Sequence, residues 1–461
     1  MATPEALTKY YDCLKDSFNK IQLKDNKTAL VNAALRPKIR EEFAKSKQLL
    51  ISYLNYLRVF TLIYSDKFSN ICISVICPLF RDHRFTRALD GGSSVSSSSD
   101  GNQDQDTTQL VHETLCAILK SKPELTDELI HSLIRLFPDA SHDDEKIFSS
   151  YLSNTLQVCT YVRGEPLTNL VARILDRVNP PIHHQSIDRQ KHEGIRKIVE
   201  DSYDLIYQLI DDVQDKQSEN FSASLLAAFT REFLTSDNDD NTNQLLLYIC
   251  SKNGKIADLF INLLWATFTD VEKSHGEREA SILYACSFMS RANYIGLEQV
   301  MNHIETAIAW YNDLMNHGSA SGSPHQDNEA PSQGTALVYP LIESILYLIT
   351  QRYREMYEEP TIIRLKNLDL DTILSGNMKP LEACNPNTVS RFREVATLYG
   401  ISCVNINFEP KSKRQKVANN SPTRVQGWKI PFNENCDNLP SKLSGLYRNY
   451  FNHRNFTIYR E

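Results

Sequence analysis

The groups in this sequence whose types and spacing could do chemistry are a histidine cluster, scattered cysteines, a serine run and one cluster of cations. The best metal-ligand spacing is in PIHHQSIDRQKHEG, where His184, Asp188 and His192 recur at i+4. On a helix this puts two imidazoles and a carboxylate on one face, a set zinc accepts. The segment follows the Pro180-Pro181 break and has no cysteine beside it, so a polar surface segment is the preferred reading. No metal and no other cofactor is expected. Ten cysteines and twelve histidines supply material for a thiolate–imidazole pair, yet no C-x-x-C occurs and no spacing singles out a pair. The phosphate-cradling G-x-x-x-x-G-K-[ST], the dinucleotide G-x-G-x-x-G, the G-x-S-x-G elbow and H-E-x-x-H are all missing from the sequence. Catalysis is therefore not expected, and no catalytic residue is assigned.

Two stretches carry chemistry of recognition. The run Ser93, Ser94, Ser96, Ser97, Ser98 and Ser99 precedes Asp100, Asp104 and Asp106. It reads either as a flexible linker or as a phosphorylation patch for an acid-directed kinase. Ser421, followed by Pro422 and Arg424, has the form that proline-directed kinases accept. In EPKSKRQKVANNSPTR, Lys411, Lys413, Arg414 and Lys416 place four cations within six positions. Their density and the leading Pro410 fit a nuclear-import signal read by an importin-type receptor in extended conformation. A solvated linker and a nucleic-acid contact are the other readings, and the latter lacks interleaved aromatics for base stacking.

These stretches must be positioned by the rest of the chain, and that rest is helical. In TDELIHSLIRLFPD, Leu129, Ile130, Leu133, Ile134 and Phe137 form one stripe, with Thr126 placed as the cap and Pro138 as the stop. LTNLVARILDRVNPP and ALVYPLIESILYLITQRYREMY repeat the pattern. No segment alternates as a strand. Several helices, such as KIADLFINLLWATFTD, are apolar on more than one side, as a helix pressed between two neighbours must be. The expected fold is all-α, a HEAT- or armadillo-like α-solenoid of roughly 18–20 helices.

Three polar segments break the pattern. Residues 89–108 and 318–334, and the basic insertion 409–427, lack apolar residues that would offset ordering entropy, and each is expected to be disordered. The organisation that follows is helical repeats over 1–88, central repeats over 109–317 and C-terminal repeats over 335–461. The net charge is −7, but it is split: from Cys403 onward ten Lys/Arg oppose four Asp/Glu, a balance of +6, and the remainder holds 40 against 53, or −13. An acidic body is a poor non-specific DNA binder and is better suited to basic protein surfaces. The longest apolar run, ICISVICPLF, is too short to span a bilayer, and no secretory signal opens the chain. An intracellular, soluble chain is expected.

The residues from about 278 onward go further. REASILYACSFMSRANYIGLEQV resembles the signature of the RNA polymerase I-specific transcription initiation factor family, growth-regulated HEAT-repeat factors. The resemblance runs through Arg278, Ala280, Tyr284, Ser287, Phe288, Arg291, Ala292, Tyr294 and Ile295. Downstream, Trp310 lies in the next similar helix. KPLEACNPNTVSRFREVATLYG is similar through Pro380, Leu381, Cys384, Pro386, Val389, Phe392 and Tyr399. IPFNENCDNLPSKLSGLYRNYF resembles the terminal block through Pro431, Phe432, Leu439, Tyr447 and Tyr450, with Asn433 where the family has aspartate. The family's acidic mid-chain loop is reduced here to something like IDDVQDKQSEN.

The resemblance implies a non-enzymatic bridge in the nucleus and nucleolus that binds the stalk and dock side of RNA polymerase I and recruits it to the promoter-bound core factor for ribosomal RNA transcription. It also implies control by protein kinases and no direct sequence-specific DNA binding. A nuclear α-solenoid scaffold or transport-type adaptor is the alternative reading. Helical spacing assigns Tyr284, Phe288, Ile295 and Trp310 to the core. Arg291, in the middle of an apolar stretch, is expected either to pair with a neighbouring helix's carboxylate or to face a partner.

Overall fold

The computed structural model describes residues 4–18, 47–63, 72–81, 101–140, 144–179, 189–212, 215–236, 240–320, 336–357, 359–376, 378–401, 441–443 and 445–448. Among these residues there are eighteen α-helices and no strand, as the periodicity predicts. The chain divides into two units, Met1–Ala228 and Phe229–Glu461.

In the first unit, α1 (Pro4–Phe18) packs on α2 (Lys47–Ile63), and α2 on α3 (Gly101–Ser121). α4 (Thr126–Leu136) packs on α6 (Glu165–Val178), α5 (Glu145–Val158) on α7 (Arg189–Asp212), and α6 on α8 (Asp215–Ala228). The stripe of α4 is buried at Leu129, Ile130 and Leu133. The helix stops at Phe137, extended at φ −60 and ψ 127, as a residue before proline prefers. Thr126 does not cap α4. A 3₁₀ turn, Pro123–Leu125, precedes the helix, and the Thr126 hydroxyl donates back to the Pro123 carbonyl at 2.6 Å. α6 starts after Gly164, whose φ of 71 is left-handed, and ends before Pro180.

In the second unit, α9 (Asp240–Lys252) packs on α10 (Gly254–Thr269), α10 on α11 (His275–Arg291), and α11 on α13 (Val338–Gln351). α12 (Leu297–Ala320) also meets α13. Four shorter helices follow: α14 (Tyr353–Met356), α15 (Glu359–Asn367), α16 (Leu370–Ser375) and α17 (Pro380–Ala383). α18 (Pro386–Tyr399) returns to α13. α13 is buried almost all round, from Val338 and Leu341 to Ile349 and Thr350. Edge-to-face rings fill the layer between α10 and α11: Phe260 lies 6.0 Å from Phe229 and 5.1 Å from Phe288, and Phe229 lies 5.1 Å from Tyr284.

Two predicted loops are shorter than expected. α3 begins at Gly101 and α12 runs to Ala320, so residues 101–108 and 318–320 are helical. Helix propagation is cooperative, and the amphipathic turns further along each helix carry the polar ends with them. Within the span compared with the family's acidic loop, α7 ends at Asp212 and α8 begins at Asp215. The serine run 93–99, the basic insertion 409–427, His184, Asp188, Pro431 and Phe432 lie outside the described residues.

Candidate functional site

The signature residues are built on α11 and the turn that leaves it. α11 opens with a reciprocal capping box: the Glu277 amide donates to the Ser274 hydroxyl, and the Ser274 amide donates to the Glu277 carboxylate. The Ser274 hydroxyl, which donates to the Glu277 carboxylate at 2.7 Å, the Ser274 amide and Lys273 hold that carboxyl below its ordinary range. Arg278 is buried and donates Nε–H to the Phe268 carbonyl at the end of α10, at 2.7 Å. Tyr284, Ser287 and Phe288 are core residues, as their spacing predicts.

Where α11 ends, its carbonyls meet arginines. Arg352, fully buried at the end of α13, donates to the Met289 carbonyl at 2.7 Å and the Ile295 carbonyl at 3.0 Å. It also reaches the Glu355 carboxylate at 2.8 Å. A short segment 155 positions downstream, counted from Asn293 to Arg448, completes the junction. The Arg448 amide donates to the Arg291 carbonyl at 2.8 Å and the Asn293 amide to the Leu446 carbonyl at 3.0 Å, forming an isolated antiparallel bridge between Ala292 and Tyr447. The Arg448 guanidinium donates to the Asn293 carbonyl at 3.1 Å and pairs with Glu355. Burial lowers the pKa of both Arg352 and Arg448 to about 10, and for Arg448 the neighbouring Arg352 adds to the effect. Both stay protonated at neutral pH.

Arg291 is enclosed, at 1% exposure, and its guanidinium lies over the Tyr447 ring at 4.9 Å. Glu355, the carboxylate at this junction, is held by Arg352 and Arg448. Tyr294 sends its hydroxyl to the Leu247 carbonyl on α9 at 2.8 Å. Sequence reading missed Arg352, Glu355 and Arg448. The signal for them was an arginine closing a mostly apolar helix, and another inside the terminal aromatic block.

The second signature block is a turn gripped by α13. Pro380 and Pro386 sit in the first turns of α17 and α18, and Cys384 is buried between those helices. Glu343 on α13 accepts from the Asn385 amide at 3.2 Å and the Thr388 hydroxyl at 3.5 Å, which places its carboxylate at the start of α18. Burial outweighs these bonds and raises its pKa.

Two clusters resemble catalytic ones. Cys286 Sγ and His303 Nε2 are 4.0 Å apart in the core of the second unit. Burial pushes the thiol up to about 12 and the imidazole down to about 4, so both are neutral at pH 7. A nucleophilic thiolate needs the opposite shifts. In the first unit, an open groove of about 680 Å³ is lined by Arg58, His112, Cys116, Lys120 and Tyr161 among others. Asn154 spends its amide N–H on the Ser150 carbonyl at 2.9 Å, so its Oδ1 faces His112 Nε2 at 3.2 Å and that nitrogen donates. His112 Nδ1 then accepts from the Tyr161 hydroxyl at 3.0 Å. Burial drives His112 down to about 4 and raises both Tyr161 and Cys116, leaving a neutral, satisfied network. Among the described residues no group of three His, Cys, Asp or Glu side chains could hold a metal, and no helix is long and apolar enough to cross a membrane.

The described residues form an all-helical fold of the HEAT-like solenoid class, in which the signature residues serve packing and helix termini. The family model described as RNA polymerase I specific transcription initiation factor RRN3 matches residues 1–179 and 184–440, and the chain belongs to that family. Transcription initiation factors are not an enzyme class. The mouse RNA polymerase I-specific transcription initiation factor RRN3 is 19% identical over 381 residues, covering 71% of this chain and 57% of the mouse protein. The chain thus spans less than two thirds of that relative's length. The crystal structure of RNA polymerase I transcription initiation factor Rrn3 superposes with a TM-score of 0.54 at 13% identity, covering 88% of this chain and 89% of that one.

Proposed function

We propose that this chain is a non-enzymatic initiation factor for RNA polymerase I. It bridges the stalk and dock side of the polymerase to the promoter-bound core factor. The observation that carries the reading is the family match, which runs through both units from residue 1 to residue 440. The acidic body, −13 outside the tail, supports it, because such a surface suits a basic protein partner better than DNA. Action in the nucleus and nucleolus belongs to the same reading, with import through Lys411, Lys413, Arg414 and Lys416. So does kinase control at Ser93–Ser99 and Ser421. The test is affinity capture from nuclear extract with the tagged full chain. Polymerase I subunits are expected in the eluate. Recovery of a transport GTPase with no polymerase I subunit would sink the proposal in favour of a transport adaptor.

A further inference from the structure

We propose that Gly445–Arg448 is a latch that opens without unfolding of its unit and bares the exit of α11. The segment is tied down unevenly. Leu443, in the 3₁₀ turn Ser441–Leu443, is buried at 0% exposure and packs beside α9, forming an anchor. Beyond it Gly445 is exposed, while Leu446, Tyr447 and Arg448 are half-buried. Main-chain and side-chain hydrogen bonds tie these residues down, and the Tyr447 ring lies against the Arg291 guanidinium. The Arg291 carbonyl accepts from the Arg448 amide, the Asn293 amide donates to the Leu446 carbonyl, and the Asn293 side chain donates to the Gly445 carbonyl at 2.5 Å. Partly exposed segments held by a short ladder open at lower free energy than the core around them.

Electrostatics adds to this. Arg448 is held through Glu355, a carboxylate already bonded to Arg352, and the Arg352 charge opposes that of Arg448. Arg352 keeps the Met289 and Ile295 carbonyls whether or not the latch is closed, so the α11 exit retains an internal clamp. An open latch uncovers the Arg291 and Asn293 carbonyls, the Asn293 amide and the Arg291 guanidinium at the helix end and the turn that follows it. The Arg291–Tyr447 contact also joins two of the blocks through which the sequence resembles its family, although 156 positions separate them.

The test is amide hydrogen exchange on the full chain, and it does not depend on polymerase binding. In the wild type, the Asn293 and Arg448 amides should exchange at least about tenfold faster than those of Leu346–Ile349 in α13, since the latch opens below the global barrier. In Glu355→Gln the latch amides should accelerate further while Leu346–Ile349 stay unchanged. Exchange of Asn293 and Arg448 at the α13 rate in the wild type would overturn the proposal. So would equal acceleration at all these positions in the variant, because either result makes the segment an integral part of the core.

Discussion

At the scale of single residues, the titratable groups that look catalytic are instead determinants of stability. His112 and His303 have folded-state values near 4 against 6.5 for the free imidazole, both because burial disfavours the charged form. The unfolded chain therefore binds more protons than the folded chain between those values. Stability from each is complete above pH 6.5 and is lost as pH falls toward 4. Each is worth on the order of 3 kcal/mol across that window. Chemical denaturation at intervals from pH 7.5 to 4.5 should show stability falling below pH 6.5. That fall should be shallower in His112→Gln than in wild type. A parallel slope in the variant would assign the acid sensitivity to other groups. The same neutrality keeps Cys286 beside His303 from acting as a nucleophile. Sequence spacing gave no means of deciding this, because the two residues lie on different helices and the deciding quantity is burial.

At the scale of elements, α11 carries the signature because it is buried on every side, between α10 and α13. Truncating Phe288, which is 0% exposed and lies 5.1 Å from Phe260, removes ring contacts that no neighbour can replace. Phe288→Ala is expected to cost about 3–5 kcal/mol, and Ser274→Ala about 1 kcal/mol through loss of the capping box. Urea unfolding of each variant checks the order. An equal cost would mean that the core layer relaxes around the cavity. Elements of this kind were legible: the stripes of α4 and α6 and the apolar α13 follow from residue spacing alone. Thr126 was not legible as a non-capping residue, because the preceding Pro123–Leu125 turn already supplies the start of α4. Nor was the role of Arg291. Spacing says that an arginine inside an apolar run needs a partner, but its ring partner Tyr447 is brought by a distant segment.

At the scale of the whole molecule, charge is unevenly placed along the sequence. The sum of −7 conceals a tail of +6 on a remainder of −13. Replacing Lys411, Lys413, Arg414 and Lys416 by alanine shifts the sum from −7 to −11 and removes the densest cationic run. If that run is an address, a fluorescent full-length fusion of the variant stays in the cytoplasm. In extract, where no nuclear envelope intervenes, the same protein captures polymerase I as the wild type does. If the run instead contacts nucleic acid, wild-type DNA affinity falls steeply with salt and the variant loses that slope, since each phosphate contact releases condensed counterions. Nuclear accumulation of the variant would then persist. Loss of polymerase capture with unchanged localisation would place the cations at the protein interface, against the reading that the acidic helical body meets the polymerase. The address reading stands only on the first pattern, because only an import signal separates where the chain goes from what it binds on arrival.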